Sequence, residues 1–347
     1  MTEPISDRPA RRPRYRGRNP RHFHEKYKEL QPERYADDVA RVIASGKTPA
    51  GMHRPILVNE ILKALAPKPG EIAVDCTLGY GGHAKELLSA IAPGGRLLGL
   101  DSDPIELPKT EARLRALDVP ATTLVLHRGN FAGLSAFLAT EAPEGVDVML
   151  ADLGLSSMQI DDPARGFTYK VDGPLDMRMN PSKGLTASAM LSRMDVASLA
   201  RILSENADEP HAHELAVAIR RAPPITTTHA LTAIVRDACA HLERPSRVSV
   251  DDTIRRVFQA LRIAVNDEFG ALDALLRSLP SCLKPGGRAA ILTFHSGEDR
   301  RVKTAFKDGL NDGTYAAISD DVIRASPEER FANPRSSSAK LRFAVRA

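Results

Sequence analysis

Between residues 71 and 152, short apolar segments alternate with helical ones, a pattern that leaves few folds open. Amphipathic stretches such as AKELLSAI (84–91) separate the first four apolar segments, and two more segments come late in the chain. The six segments are EIAVDC (71–76), RLLGLD (96–101), TTLVLH (122–127), VDVMLAD (146–152), RAAILTF (288–294) and LRFAVR (341–346). Strands and helices that alternate in this way are joined by right-handed crossovers, which build a mostly parallel sheet covered on both faces. The sequence therefore predicts an α/β fold.

The alternation stops between the fourth and the fifth apolar segments. Residues 154–245 are loop-like at first and then helical, with no clear buried strand. We therefore expect a discontinuous doubly wound domain, made of residues 51–155 and 262–347, which is interrupted by a helical insertion over residues 156–261.

The N-terminal segment has a separate, basic composition. Residues 8–21 hold seven Arg and no carboxylate, and the first 54 residues carry 13 Lys and Arg against 7 Asp and Glu. The formal net charge of +4 comes from this end of the chain. Such a segment buries too little apolar surface to fold alone. We expect residues 1–50 to be a basic, partly disordered extension that neutralises RNA phosphates, although a solvated linker explains the composition equally well.

The rest of the composition is that of an ordinary globular protein. Apolar residues make up 42% of the 347 residues, yet no run approaches the roughly 18 apolar residues of a membrane helix. The N-terminus does not resemble a secretory signal. The cysteines (Cys76, Cys239 and Cys282) lie far apart without a CxxC pair, so we expect buried thiols in a reducing compartment and no metal site. The sequence predicts a cytoplasmic protein that is not attached to a membrane.

A glycine-rich turn and an acid together indicate an adenosyl ligand. TLGYGGH (77–83) follows the first predicted strand and opens a helix, where Gly81 and Gly82 let a ligand approach the backbone closely. Asp101 ends the second predicted strand, the place of a carboxylate that accepts ribose hydroxyls. The pattern fits either NAD or S-adenosylmethionine, and a tight turn beside a solvated acid is the alternative that needs no ligand.

Asp152 ends the fourth predicted strand, over the point where a doubly wound sheet binds its ligands. Methyl transfer to an exocyclic amine needs a polar acceptor there, because the nitrogen lone pair is delocalised into the ring. Such catalysis consists of holding the amine in line with the methyl group and accepting its proton. Asp152 is therefore both a candidate catalytic residue and a candidate ligand of the cofactor.

From residue 52 onward the chain resembles the bacterial small-subunit ribosomal RNA methyltransferase H family, also called MraW. The matching segments occur in family order and include DCTLGYGGHAKELL, ADLGLSSMQIDDPARGFTYKVDGPLDMRMNP, LKPGGRAAILTFHSGEDRRVK and NPRSSSAKLR. The resemblance implies a Rossmann-like class I methyltransferase that uses S-adenosylmethionine to methylate N4 of a cytosine in the decoding region of 16S rRNA. The implied partner is the small ribosomal subunit, and the resemblance also allows a homodimer.

The resemblance further implies a set of cofactor-binding residues that surround the glycine loop and the neighbouring strand ends. These are Gly81, Gly82, His83, Asp101, Phe131, Asp152 and Gln159. From the residues alone, His83 would be a helix-start residue and Phe131 a core residue.

Candidate substrate and catalytic residues lie on either side of the insertion. Phe167 and Tyr169 could stack on an extruded cytosine or anchor the insertion on the sheet. Asp176 and Arg178 could contact the substrate or lock their own loop as an ion pair. His295 and Ser296 follow the fifth predicted strand, so we expect them in the catalytic site beside Asp152.

Three other functions compete with this one. An NAD-dependent oxidoreductase would need the third glycine of its fingerprint, which is absent here. A non-catalytic ribosome-assembly factor could retain the cofactor pocket. A paralogue could methylate another nucleotide, since SENADEPHAHELAVAIRR (204–221) departs from the family pattern.

Overall fold

The structure is a computed structural model that describes residues 55–117, 119–242 and 249–347. The predicted basic extension, residues 1–50, lies outside the described residues. Within the described ranges, no helix is long and apolar enough to cross a membrane, and no group of three His, Cys, Asp or Glu side chains could hold a metal ion. The three cysteines are free and buried, as predicted.

The described residues form a seven-stranded sheet in the order β3-β2-β1-β4-β5-β7-β6. The strands are β1 (Ile72–Asp75), β2 (Arg96–Asp101), β3 (Leu124–Arg128), β4 (Val146–Asp152), β5 (Leu283–Thr293), β6 (Tyr315–Ile318) and β7 (Lys340–Arg346). β1 to β5 pair in parallel, whereas β7 is antiparallel to both of its neighbours. The predicted α/β fold is confirmed, and the short strand β6 was missed.

Strand order reverses between β1 and β4, which opens a crevice at the carboxyl ends of these two strands. The chain runs outward through β2 and β3 on one side and then returns to build the other side from β4. Asp75, Asp101 and Asp152 are the last residues of β1, β2 and β4, so the topology gathers three carboxylates at one edge.

Helices cover both faces of the sheet. α1 (Val58–Leu65), α2 (Gly82–Ile91) and α3 (Glu106–Arg115) pack on one face, and α4 (Leu134–Glu141), α11 (Glu268–Cys282) and α12 (Ser296–Asn311) pack on the other. Successive strand residues point to opposite faces, so Ala73 belongs to one core and Val74 to the other. Because both faces are buried, the strands are continuous apolar runs rather than alternating ones.

A helical segment follows β4 and has a hydrophobic core of its own, which extends from Phe167 to Leu261. Its helices are α5 (Ser157–Asp161), α6 (Ala187–Arg193), α7 (Val196–Ala207), α8 (Ala212–Arg221), α9 (Thr228–Ala240) and α10 (Val250–Asn266). The expected boundary between residues 261 and 262 would fall inside α10. The division into an insertion and a sheet domain therefore stays a prediction.

The chain returns to the sheet edge by way of one more helix. α13 (Pro327–Ala332) lies between β6 and β7 and begins with a Ser326 side chain that accepts the Glu329 N–H. β7 then begins at Lys340, which pairs with Thr293 at the carboxyl end of β5. The segment that carries α13 thus leads directly to the edge where the three carboxylates lie.

Candidate active site at the carboxyl edge of the sheet

The glycine loop between β1 and α2 is held from outside by α3. Gly81 has φ +84°, and a Cβ there would lie 2.9 Å from Cγ2 of Thr110. The Thr110 hydroxyl donates to the Gly79 carbonyl at 2.5 Å. Arg113 donates to the Tyr80 carbonyl at 3.3 Å and stacks over the Tyr80 ring at 3.8 Å. The loop backbone is therefore fixed by neighbouring side chains.

Asp101 closes the loop from the end of β2. Its Oδ2 accepts the Gly79 N–H at 2.7 Å, and its Oδ1 accepts the Asp103 N–H at 2.8 Å. Burial raises the pKa of Asp101, although these two N–H donors oppose the shift. A carboxylate oxygen accepts two hydrogen bonds, so each oxygen retains acceptor capacity for a ribose hydroxyl. The residue fits the role expected of it.

Asp152 lies at the end of β4 with an unsatisfied acceptor. Its backbone N–H donates to Oγ1 of Thr77 at 2.6 Å, but its buried Oδ1 has no hydrogen-bond partner among the described residues. The side chain as a whole is 29% exposed. Burial, with a smaller contribution from the Glu298 charge, raises the pKa of Asp152 to about 7. A buried polar atom without a partner marks a place for a ligand or a reacting group.

His83 and Asp75 complete the buried polar cluster. Nε2 of His83 lies 2.9 Å from the Ile56 carbonyl and therefore carries the proton, while Nδ1 lies 3.5 Å from Oδ2 of Asp152. Burial lowers the pKa of His83, which favours the neutral ring. Burial also raises the pKa of Asp75 to about 6. Asp75 was not expected in this cluster from the sequence, although its position at the end of β1 was a usable signal.

Phe131 begins a short turn directly after β3 and is partly buried against the sheet core. This places its ring at the carboxyl edge, next to the strand that ends in Asp101. The expected contact with adenine stays a prediction.

Gln159 is held between its own helix and the sheet. It forms a capping box with Ser156 at the start of α5, and its Nε2 donates to Oδ2 of Asp103 at 2.9 Å. Its side chain is buried by these contacts. Its expected role as a cofactor ligand stays a prediction, and in this structure it anchors α5.

A buried ion pair links the cofactor side of the site to the helical segment. Asp103, 1% exposed, accepts from Arg165 Nη1 at 2.8 Å, and Arg165 Nη2 donates to the carbonyls of Arg178 and Met179 at 3.1 and 2.7 Å. Asn266, the last residue of α10, donates to the Met177 carbonyl and accepts the Met179 N–H. Neither Arg165 nor Asn266 was expected from the sequence. Together they fix the DMRM loop (176–179) against the sheet edge.

Asp176 and Arg178 pair with each other inside that loop. Arg178 Nε and Nη2 donate to the two oxygens of Asp176 at 2.7 and 2.8 Å. Although burial opposes it, the guanidinium lowers the pKa of Asp176. The structure thus forms the loop-locking ion pair, one of the two roles considered, and substrate contact by these residues stays a prediction.

Phe167 and Tyr169 belong to the core of the helical segment. Phe167 is 9% exposed, and Tyr169 packs edge-on against Phe258 with ring centroids 5.3 Å apart. Both rings therefore pack inside the helical segment rather than on the sheet. Stacking of either ring on an extruded cytosine stays a prediction.

His295 and Ser296 follow β5 but diverge in environment. Nε2 of His295 lies 3.2 Å from Oε1 of Glu298, whose charge in turn raises the pKa of Asp152. The Ser296 hydroxyl is exposed and donates to Asp208 in the helical segment at 3.3 Å. His295 is therefore linked to Asp152 only through Glu298, and Ser296 connects the two segments at the surface. The catalytic roles expected of both residues stay predictions.

Basic side chains on a helix face can bind RNA phosphates or simply be solvated, but three of those on α10 are paired within the protein. Arg262 instead makes a two-point ion pair with the buried Glu268 at 2.7 and 2.8 Å. Nη1 of Arg256 lies 3.5 Å from Oε2 of Glu209, and the Arg255 guanidinium pairs with the Asp252 carboxylate. The guanidinium of Arg262 is therefore used inside the protein.

The sheet order with an antiparallel β7, the glycine loop after β1 and the acid at the end of β2 define a class I methyltransferase that uses S-adenosylmethionine. The family model of the MraW methylase family matches residues 50–347, and the chain belongs to that family. It is 48% identical over 342 residues to "Ribosomal RNA small subunit methyltransferase H 1" of Lachnoclostridium phytofermentans, covering 97% of this chain and 93% of that one. It is 47% identical over 342 residues to "Ribosomal RNA small subunit methyltransferase H 2" of Alkaliphilus metalliredigens, covering 97% of both.

Proposed function

We propose that this chain transfers a methyl group from S-adenosylmethionine to N4 of a cytosine in the decoding region of 16S rRNA, in the cytoplasm. The observation that carries the proposal is the carboxylate of Asp152, which is partly exposed at the sheet edge and whose Oδ1 has no hydrogen-bond partner within the part of the chain that the structure describes. The names of the relatives support the substrate class, since they describe methyltransferases of small-subunit ribosomal RNA.

The residues present fit the cofactor. The glycine loop and Asp101 would hold its ribose and methionine portions, and Phe131 would lie against its adenine. When bound, S-adenosylmethionine supplies a methyl group on a positively charged sulfur. The protein's task is then to present the amine to that methyl group in a fixed orientation.

Asp152 performs the orienting and proton-accepting steps. A cytosine amine is a weak nucleophile, so an acceptor that holds one N–H directs the lone pair towards the methyl group. As nitrogen acquires positive charge, the Asp152 carboxylate accepts the released proton, and its pKa of about 7 suits that task near neutral pH. Nδ1 of His83, 3.5 Å from Oδ2, is a second acceptor for the same proton.

The helical segment and the N-terminal extension supply the RNA contacts in this proposal. Residues 156–261 would close over the target base, while residues 1–50 would bind ribosomal phosphates through their Arg side chains. The homodimer stays a prediction.

The test is methylation in vitro of 16S rRNA and of small subunits from a strain that lacks this enzyme, followed by mass spectrometry of nuclease fragments. Wild-type protein should add one methyl group to a decoding-region cytosine, and Asp152→Asn should lower the rate at least a hundredfold. Asp147→Asn is the matched control, because Asp147 lies at the other end of β4 and pairs with Lys284.

Two outcomes would replace the proposal. A methyl group on another nucleotide would make the chain a paralogue of different specificity. Tight binding of S-adenosylmethionine without transfer to either substrate would make it an assembly factor that retains the pocket.

A further inference from the structure

The peptide unit between Ile56 and Leu57 connects the C-terminal part of the chain to His83. Its N–H, which belongs to Leu57, donates to Oε1 of Glu329 at 2.9 Å, across 272 residues. Its carbonyl, which belongs to Ile56, lies 2.9 Å from Nε2 of His83. Because a trans peptide unit is planar and its N–H and C=O point in opposite directions, the two contacts lie on opposite sides of one rigid group. A single peptide unit therefore joins the Glu329 carboxylate to the His83 ring.

Leu57 has a backbone conformation that is unfavourable for its residue type. Its φ is +54°, and its side chain is fully buried at the start of α1. Residues that carry a Cβ rarely adopt this left-handed conformation, and such strain is concentrated at functional sites. In an ordinary capping box, the acid that accepts the N–H of this position lies three residues later in the same helix. Here a distant acid accepts it, and the strained peptide unit is held in one orientation.

Glu329 is itself fixed by its own segment. Its N–H donates to the Ser326 hydroxyl at 3.1 Å at the start of α13. Shortly after α13, Arg335 pairs with Asp161 of α5 at 2.8 Å, which fastens the segment to the site. The half-buried Glu329 side chain is thus directed at Leu57 from a supported position.

The ring of His83 is buried between this peptide unit and Asp152. Burial lowers the pKa of His83, and the hydrogen bond to Ile56 opposes the shift. Three negative charges oppose it as well, those of Asp75, Glu86 and Glu329. The neutral ring carries its hydrogen on Nε2, so Nδ1 presents a lone pair to Oδ2 of Asp152 at 3.5 Å. Catalytic hydrogen bonds are often this long before the substrate is bound.

We propose that Glu329 is a positioning residue that acts on His83 through the Ile56 carbonyl. By fixing and polarising that carbonyl, it keeps the ring hydrogen on Nε2 and leaves the Nδ1 lone pair directed at Asp152. A carboxylate that accepts an amide N–H polarises the amide and strengthens the hydrogen bond at its carbonyl. The proton that Asp152 takes from the amine then moves on: the O–H bond breaks, the Nδ1–H bond forms, and the ring carries the positive charge. The inference rests on the proposed function, because it assigns a further residue to that site.

The test separates the hydrogen bond of Glu329 from its charge in the full chain. Glu329→Gln retains an oxygen that accepts the Leu57 N–H, and Glu329→Ala removes it. Glu328→Ala, which removes the adjacent exposed acid of α13, is the matched control. The tautomer of His83 is read from the ¹⁵N chemical shifts of its ring nitrogens, whose signals are assigned by their loss in His83→Gln. The kcat, the KM for 16S rRNA and the Kd for S-adenosylmethionine are measured on the same proteins.

Wild-type protein should show a single His83 tautomer with the hydrogen on Nε2. Glu329→Ala should show a mixture of both tautomers and a kcat about tenfold lower, the effect of one hydrogen bond to a charged group. The KM for RNA and the Kd for S-adenosylmethionine should stay unchanged. Glu329→Gln should keep the tautomer and most of the rate, and Glu328→Ala should match wild type in every measurement. If Glu329→Ala does not fold, Glu329→Asp replaces it, because the shorter side chain retains the charge but not the reach to Leu57.

The opposite results would overturn the inference. A single Nε2–H tautomer in Glu329→Ala, or an unchanged kcat, would show that Glu329 does not position His83. A Kd for S-adenosylmethionine that rises together with the loss of kcat would reduce Glu329 to a structural support of the glycine loop. If wild-type protein transfers no methyl group, the proposed function fails, while the ¹⁵N shifts still decide whether Glu329 sets the tautomer.

Discussion

Replacing Arg165 by Ala should lower the free energy of unfolding more than replacing an exposed arginine by Ala does. The change leaves the Asp103 carboxylate, 1% exposed, without its charge partner and removes the donor to the Arg178 and Met179 carbonyls. Loss of one partner of a buried ion pair costs about 3–5 kcal/mol. Because Gln159 still donates to Asp103, we expect the lower end, about 3 kcal/mol. For the unit from Arg54 to Ala347 that corresponds to a fall in Tm of roughly 5 °C.

The measurement is urea unfolding of the Arg165→Ala protein beside Arg178→Ala. Arg178 is 20% exposed and its partner Asp176 is 21% exposed, so the pair is partly screened by solvent and the loss of Arg178 should cost less than that of Arg165, about 1–2 kcal/mol. A double-mutant cycle with Asp103→Asn should then show a coupling of about 1–3 kcal/mol, because the two residues share one network. If Arg165→Ala is no less stable than Arg178→Ala, or if the cycle shows no coupling, Arg165 does not hold the loop to the sheet.

Two further predictions concern the glycine loop and the proton acceptor, Asp152. Thr110→Val removes the hydroxyl that donates to the Gly79 carbonyl. Because one hydrogen bond contributes about 1 kcal/mol, the Kd for S-adenosylmethionine, measured by calorimetry, should rise roughly fivefold. Thr140→Val, on the exposed side of α4, should leave that Kd unchanged. The single-turnover rate should rise with pH up to about 7 and then level, because burial raises the pKa of Asp152 to about 7 and only the ionised carboxylate accepts the proton. Asp152→Asn should lose that dependence, and a wild-type rate that is flat from pH 5.5 to 8.5 would contradict the role of Asp152.

Residues whose role depends on local chain geometry were predictable from the sequence. Asp101 and Asp152 end apolar segments, and parallel strands bring such ends to one edge, so their place in the site followed from pattern alone. Gly81 was predictable for the same reason, since a tight strand-to-helix turn needs a residue that tolerates positive φ.

Residues whose role depends on distant contacts were not predictable. Arg165 reaches Asp103 across 62 residues, and Asn266 reaches Met179 across 87, and no local pattern encodes such pairings. Phe167 was open between stacking on a base and anchoring the insertion on the sheet, and its place in the core of the helical segment was not foreseen, because periodicity does not tell which side of a loop is covered. β6 was missed because only four residues form it, at the edge of the sheet.

The junction between α10 and α11 connects the helical segment to the residues at the carboxyl edge of the sheet. Asn266 ends α10 and clamps the DMRM loop, and Asp267 follows with a left-handed backbone from which α11 begins. One turn earlier, Arg262 pairs with Glu268. Burial acts to raise the pKa of Glu298, but the positive charge of Arg262 helps to keep that pKa low. Glu298 in turn accepts the backbone N–H groups of the residues after β5 and raises the pKa of Asp152. A displacement of α10 would therefore move the DMRM loop and alter the electrostatic field at Asp152 together.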